Sequence, residues 1–282
     1  MKITIENFLF RNIFGEEKAL EMIRHAGFDG VDYSFNALGN GCAIDLTNHL
    51  AKARSVKKTL DALELSCTQA HAPFEVKYGD ALNLDNKGFA NIVRSLEFGA
   101  ELGVKQMVVH SVAAPNNADF FQYNFDFHKS LEPYAKACNV QIAVENLVNS
   151  IFWRPNRLSQ FIRLLDSPVF CACIDVGHAE LMGMPPEDFV SGMDQGLVNC
   201  IHMHDTDGKI DRHWIPYQGI QNWDRIVKAL VEYGYEGEMN MEVIHSFDYL
   251  PTELVFHLLC YTAQVGKLLK NKFEAYCAES FV

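Results

Sequence analysis

The sequence predicts an α/β protein folded as a single (β/α)8 barrel, the TIM barrel architecture, and three observations predict it. Apolar runs of strand length recur eight times, and a helical pattern follows each of them. From the third run onward, six in succession end in a side chain able to bind a metal or move a proton. Eight strands each followed by a helix is the count that closes a parallel barrel, and active sites in such barrels gather at the carboxyl ends of the strands. The 282 residues fit one barrel of this kind, and no Pro/Gly/Ser-rich linker divides them, so residues 1–282 read as one domain.

The first strand, at residues 2–6, alternates polar and apolar side chains; the helix over 16–25 stops at Ala26-Gly27, because glycine readily takes the left-handed turn that ends helices. The second strand, at 30–34, leads into a long polar loop and a helix over 48–63. The third, at 65–71, is followed by Ala72-Pro73, which blocks a helix at once, and by a helix over 86–102. The fourth, fifth and sixth strands fall at 106–110, 141–145 and 170–175. The seventh, at 198–204, starts with Val198 and empties into a loop rich in Asp and His; the eighth lies at 238–243. Helices fill the intervals, including 223–233 before Gly234 and a last one over 252–269.

Composition removes several function classes. A chain that is 49% hydrophobic and 21% charged is ordinary globular material. Its net charge of −12 repels phosphate backbones and disfavours nucleic acid as a partner. The amino terminus begins with an alternating strand instead of the apolar run of a signal peptide, and no stretch approaches the roughly 18 to 20 apolar residues of a membrane span. The eight cysteines lack paired metal-ligand spacing, and Cys171 and Cys173 share one strand face, where a disulfide is awkward. These features read as a reduced, cytoplasmic protein with no membrane partner, and are compatible with a homo-oligomer.

The strand ends carry the chemistry. They are His71, His110, Glu145, Asp175 with His178 three beyond, His204 with Asp205, and Glu242. Period-two alternation pairs Gln69 with His71, Val108 with His110, Ala143 with Glu145, Cys173 with Asp175, and Asn240 with Glu242, so all can point inward. It also sets Cys200, His202 and His204 on one face, with His202 a layer deeper and readable as a hydrogen-bonded core residue. Two Glu, one Asp and several His without nearby Lys or Arg repel one another if left empty, and a divalent cation supplies the missing charge. Mixed carboxylate and imidazole ligands suit one Mn, Co, Zn, Mg or Fe ion. The expected ligands are Glu145, Asp175, His204 and Glu242, with His71 and His110 weaker candidates. Asp211 and His213, in the loop after the seventh strand, read equally as extra ligands, substrate contacts or a solvated turn. Of Phe8, Phe10, Phe14, Phe35, Phe74, Trp153 and Trp214, about a quarter are expected to wall the site and the rest to be core.

At these residues the chain resembles a known superfamily. Val-Glu-Asn at 144–146, Ile-Asp-Val-Gly-His at 174–178, His-Met-His-Asp at 202–205 and Met-Glu-Val at 241–243 are similar to motifs of the xylose isomerase-like barrels, over essentially the whole chain. That group includes sugar phosphate isomerases and epimerases, ketose 3-epimerases, inosose dehydratases and endonuclease IV. In the epimerases the matching residues bind one metal, which implies Glu145, Asp175, His204 and Glu242 here, and the resemblance implies that His178 contacts substrate. Endonuclease IV has further ligands, and His71, His110, His178, Asp211 and His213 each match one, which implies multinuclear zinc as the alternative. The short loop from His204 to the Asp211-Arg212-His213 triplet resembles the isomerase and epimerase side. The arginine that grips substrate in ketose 3-epimerases is Ile210 here, and Arg212 or Arg154 is the substitute.

The expected reaction is isomerisation or epimerisation of a small carbohydrate, free or phosphorylated. Hydrogen on carbon next to a carbonyl is weakly acidic, and a metal on the substrate oxygens stabilises the enediolate. Glu145 and Glu242, approaching from opposite sides, remove and return the proton. Loss of a β-hydroxyl from the same enediolate gives a dehydratase, a second alternative; a sugar-binding barrel without turnover has no need of both Glu.

Overall fold

The computed structural model describes residues 1–37, 41–42, 47–113, 119–148 and 150–279. Eight parallel strands close into a barrel: β1 (Ile3–Glu6), β2 (Gly30–Ser34), β3 (Ser66–His71), β4 (Gln106–Val109), β5 (Gln141–Glu145), β6 (Phe170–Asp175), β7 (Val198–Met203) and β8 (Met239–Met241). Each pairs with its neighbours in chain order, and β1 closes the ring by pairing with β8, Ile5 beside Met241. The eight strands lie where the apolar runs predict them, three with the expected bounds and the others with ends shifted by one or two residues. A short antiparallel ladder, Asn36–Ala37 with Gly41–Cys42, decorates the polar loop after β2.

The outer ring is made of α1 (Phe8–Phe14), α2 (Glu16–Ala26), α3 (His49–Ala62), α4 (Lys87–Leu102), α5 (Phe120–Cys138), α6 (Pro155–Leu165), α7 (Val176–Leu181), α8 (Pro186–Ser191), α9 (Trp223–Tyr233) and α10 (Thr252–Glu279). Gly27 and Gly234 end α2 and α9 in the left-handed region, at φ 102° and 76°, as the sequence predicts. The last helix runs ten residues beyond the expected Leu269. Among the described residues, no helix is long and apolar enough to cross a membrane, and the seven described cysteines are free.

Strand alternation divides the interior into two environments. Outward-facing Ile5, Val31, Tyr33, Met107, Val144, Ile174, Ile201 and Met203 pack against the helices in one large core. Inside the barrel a separate plug of Val108, Ala143, Cys171, Cys173 and Cys200 fills one half. The other half is polar and hydrogen-bonded: Gln69 and Asn240 donate to Asp32 at 2.6 and 2.8 Å, and Thr4 donates to Asn240 at 3.1 Å. This packed floor leaves the carboxyl ends of the strands as the place where polar groups meet a cavity.

Candidate metal and active site

The cavity at the carboxyl end of the barrel has a volume of about 420 Å³. Glu6, His71, His110, Glu145, His178, Asp211, His213 and Glu242 supply its polar wall, and Phe8, Phe74, Leu147, Val148 and Ile244 its apolar one. Two of the seven candidate aromatics, Phe8 and Phe74, thus reach the site. Phe10 and Phe35 are core, and Trp153 and Trp214 lie under the Arg154 and Arg212 guanidinium groups.

Three expected carboxylates converge. One oxygen each from Glu145, Asp175 and Glu242 lies within 4.8 Å of the others and of a nitrogen of His202. The His202 Nδ1 sits 3.1 Å from Glu242, 3.4 Å from Glu145 and 3.7 Å from Asp175, while its Nε2 faces the Cys173 thiol at 3.3 Å. His204, expected as the fourth ligand, reaches Asp175 alone of the three, donating from Nε2 at 2.8 Å. Its ring is stacked 4.0 Å from His213 and belongs to a second group with His178, Asp211 and His213. A third group joins His71, His110 and Glu145.

Local structure fixes these positions. Asp175 both ends β6 and caps α7, accepting the His178 amide at 2.7 Å. Asn146, next to Glu145, clamps the Asp175 backbone in both directions, donating to its carbonyl at 2.9 Å and accepting its amide at 2.7 Å. Asp205 is buried and anchors the following loop, accepting from the Trp223 indole and the Tyr217 and Gln221 amides. His213 is tied at 2.9 Å to the Glu242 carbonyl oxygen, and Asp211 bridges His178 and His213 at 3.2 Å each.

Without a metal, imidazoles balance the carboxylates, so the expected self-repulsion is replaced by ion pairing. Burial raises the Glu145 carboxyl, but the charges of His110, 2.7 Å away, and His202 outweigh it and hold the group well below the usual range. Asp175 is likewise held well below by His178 and His204 against the effect of burial. Burial lowers His71 and His213, yet Asp32 raises the first and Glu242 with Asp211 the second, each to about 9. Glu6 behaves in the opposite way: burial and the neighbouring Glu242 push it up to about 7.

The arrangement suits a divalent cation. Buried Glu145 Oε2 and Glu242 Oε2 meet only imidazole nitrogens, His204 Nδ1 is buried without a hydrogen bond, and no Lys or Arg lines the cavity among the described residues. Glu145, Asp175, Glu242 and an imidazole of the seventh-strand pair are oxygen and nitrogen donors fit for such an ion. Arg212 does not reach the cavity: Asp207 captures it at 2.9–3.0 Å. Arg154 stacks on Trp153 in a separate surface groove. Glu6, Asp32, Asn146 and Gly177 were not predicted as site residues. Glu6 was visible as the last residue of the first strand, and Asn146 and Gly177 within the quoted motifs.

A family model described as a xylose isomerase-like TIM barrel matches residues 20–255. The uncharacterized protein y4fM of Sinorhizobium fredii is 29% identical over 157 residues, 52% of this chain and 50% of that protein, so the match spans about half of that relative. A solved D-tagatose 3-epimerase-like protein superposes with a TM-score of 0.75 at 20% identity, covering 100% of both chains. The IOLI protein with a binding zinc atom superposes with a TM-score of 0.72 at 17% identity, covering 98% of this chain and 99% of that one. At these identities the structural likeness establishes the fold; with a family model spanning most of its length, the chain belongs to the xylose isomerase-like TIM barrels.

Proposed function

We propose that the protein is a divalent-metal-dependent isomerase or epimerase that moves a proton on the carbon next to the carbonyl of a small carbohydrate. The observation that carries this reading is the convergence of Glu145 and Glu242, buried at the ends of β5 and after β8, on one point together with Asp175 and imidazole. A metal held by Glu145, Asp175, Glu242 and His202 or His204 would supply positive charge to substrate oxygens as an enediolate develops. One of the two Glu carboxylates takes the proton from carbon, and the other returns it to the opposite face or to the neighbouring carbon. His178, Asp211 and His213 present polar atoms toward substrate hydroxyls at the rim. Phe8, Phe74 and Ile244 cover the apolar face of the ligand and exclude water. The solved epimerase-like and zinc-binding relatives agree with this reading. Incubating the metal-loaded protein with ketoses, sugar phosphates and inososes in deuterated water tests it: deuterium should enter one substrate at the carbon beside the carbonyl. A panel that stays unlabelled with metal bound counts against the reading.

A second reading, a multinuclear zinc phosphodiesterase acting on abasic DNA, is favoured by the two further ligand groups around the same cavity. The lack of Lys or Arg in the described cavity wall and the net charge of −12 weigh against a DNA backbone there. Zinc content and cleavage of an abasic duplex separate the two.

A further inference from the structure

We infer that Glu6, His71 and Glu242 form a second divalent-cation site that shares Glu242 with the principal one. The inference rests on Glu242 being a ligand of the principal metal, as proposed above. Glu6 is the last residue of β1, and pairing of β1 with β8 brings it beside Glu242. It is 6% exposed, it lines the cavity, and its Oε2 makes no hydrogen bond. His71, at the end of β3, is 1% exposed; its Nε2 also lacks a hydrogen bond and lies 3.5 Å from Glu242 Oε1. One donor atom from each of the three residues lies within 4.8 Å of the other two.

The imidazole is held as a metal ligand is held. Asp32 Oδ1 is 3.0 Å from His71 Nδ1, so that nitrogen donates and Nε2 is the ring atom turned to the cavity, able to exchange its proton for a cation. Asp32 cannot swing away, because Gln69 and Asn240 both donate to its other oxygen. Charge agrees with this once bound ions displace the imidazole protons that otherwise balance the carboxylates. Glu6, Glu145, Asp175 and Glu242 are four buried carboxylates around one cavity, with no Lys or Arg in its described wall. One divalent ion offsets two of the four charges, and a second offsets the remainder. A carboxylate shared between ions places them roughly 3.5–4 Å apart, the spacing of two-metal sites. The carboxylate-rich donor set with one imidazole suits Mn2+ or Zn2+.

The experiment uses the full chain stripped with chelator and titrated with Mn2+. Wild type should bind one more ion than Glu6→Gln, measured by metal analysis after equilibrium dialysis. At saturation, its electron paramagnetic resonance spectrum should show an exchange-coupled pair that the variant lacks. If Glu6→Gln does not fold, Asp32→Asn gives the same comparison and should weaken the second ion by about 10- to 100-fold. One ion in wild type and variant alike overturns the second site and leaves the principal one standing. No bound ion in either overturns both, and equal counts of two or more, or uncoupled manganese, overturn the assignment to Glu6.

Discussion

Gly177 lies against the face of the His204 imidazole: a methyl group at position 177 would stand 1.9 Å from His204 Cε1 and 2.6 Å from both ring nitrogens. The glycine of the Asp-Val-Gly-His motif is therefore explained by close approach. Its φ is not left-handed, and as the second residue of α7 it costs helix stability relative to alanine.

Gly177→Ala should displace His204 from Asp175, lower activity by at least about tenfold and weaken metal binding, if His204 serves as ligand. In a His204→Gly background the same alanine should be neutral or stabilising by up to about 1 kcal/mol, the ordinary helix preference for alanine over glycine. Comparing the two backgrounds by denaturant unfolding checks the relationship; equal effects in both would show that the ring contact is irrelevant.

Glu145→Gln and Glu242→Gln should each reduce proton abstraction by about 10²- to 10⁴-fold while leaving the barrel folded. Deuterium wash-in on the true substrate measures the first effect, and near-full activity in either variant rules out a two-carboxylate mechanism. Glu145 is surrounded by His110, His178 and His202. Its neutralisation strands those imidazoles, so metal-free Glu145→Gln should lose roughly 1–3 kcal/mol. A variant as stable as wild type without metal would mean that the imidazoles are uncharged.

Much of this was legible in the residues, and the reasons for the remainder are physical. Period-two alternation at strand ends locates Glu145, Asp175 and Glu242, because a parallel barrel turns every inward strand end toward one cavity. The same alternation sets His202 and His204 on one face and cannot choose between them; ring packing of His204 on Gly177 and His213 decides which imidazole lies among the carboxylates. Glu6 at the end of an amphipathic strand reads as solvation until β1 closes the ring on β8. Asp32 sits inside its strand, and its service to His71 depends on the pairing of β2 with β3. Arg212 is near the site in sequence, but Asp207 five residues earlier holds it elsewhere.

His128, on α5, predicts an acid-sensitive step that does not involve the cavity residues. Its Nδ1–H donates to the Asn124 carbonyl at 2.7 Å, its ring packs edge-on against Phe127 and Phe161, and burial lowers its pKa to about 4. Between pH 6.5 and 4 the unfolded chain holds this proton and the folded chain does not, so the contribution is complete above pH 6.5 and is lost as pH falls toward 4. The full span corresponds to about 3 kcal/mol at 1.36 kcal/mol per pH unit. His128→Gln should be less stable than wild type at pH 7, with the difference shrinking toward pH 4 in urea unfolding. Parallel curves for the two proteins would refute the assignment.

His213→Ala separates the two functional readings most cleanly. The side chain holds the Glu242 carbonyl at 2.9 Å and Asp211 at 3.2 Å, and its own backbone is left-handed at φ 41°, so the loop from Asp211 to Trp214 depends on it for shape. If the protein is an isomerase or epimerase, the loop meets substrate hydroxyls. Removing His213 should then raise KM about tenfold, close to the 1.4 kcal/mol of one good hydrogen bond, with the bound-metal count unchanged. If Asp211 and His213 are ligands of a further zinc, the same replacement should lower the count by one and abolish cleavage of abasic DNA. Metal analysis of wild type and variant, with both assays run in parallel, decides between them. We expect an unchanged count; wild-type protein that cuts abasic DNA and a variant that loses zinc would overturn the isomerase reading.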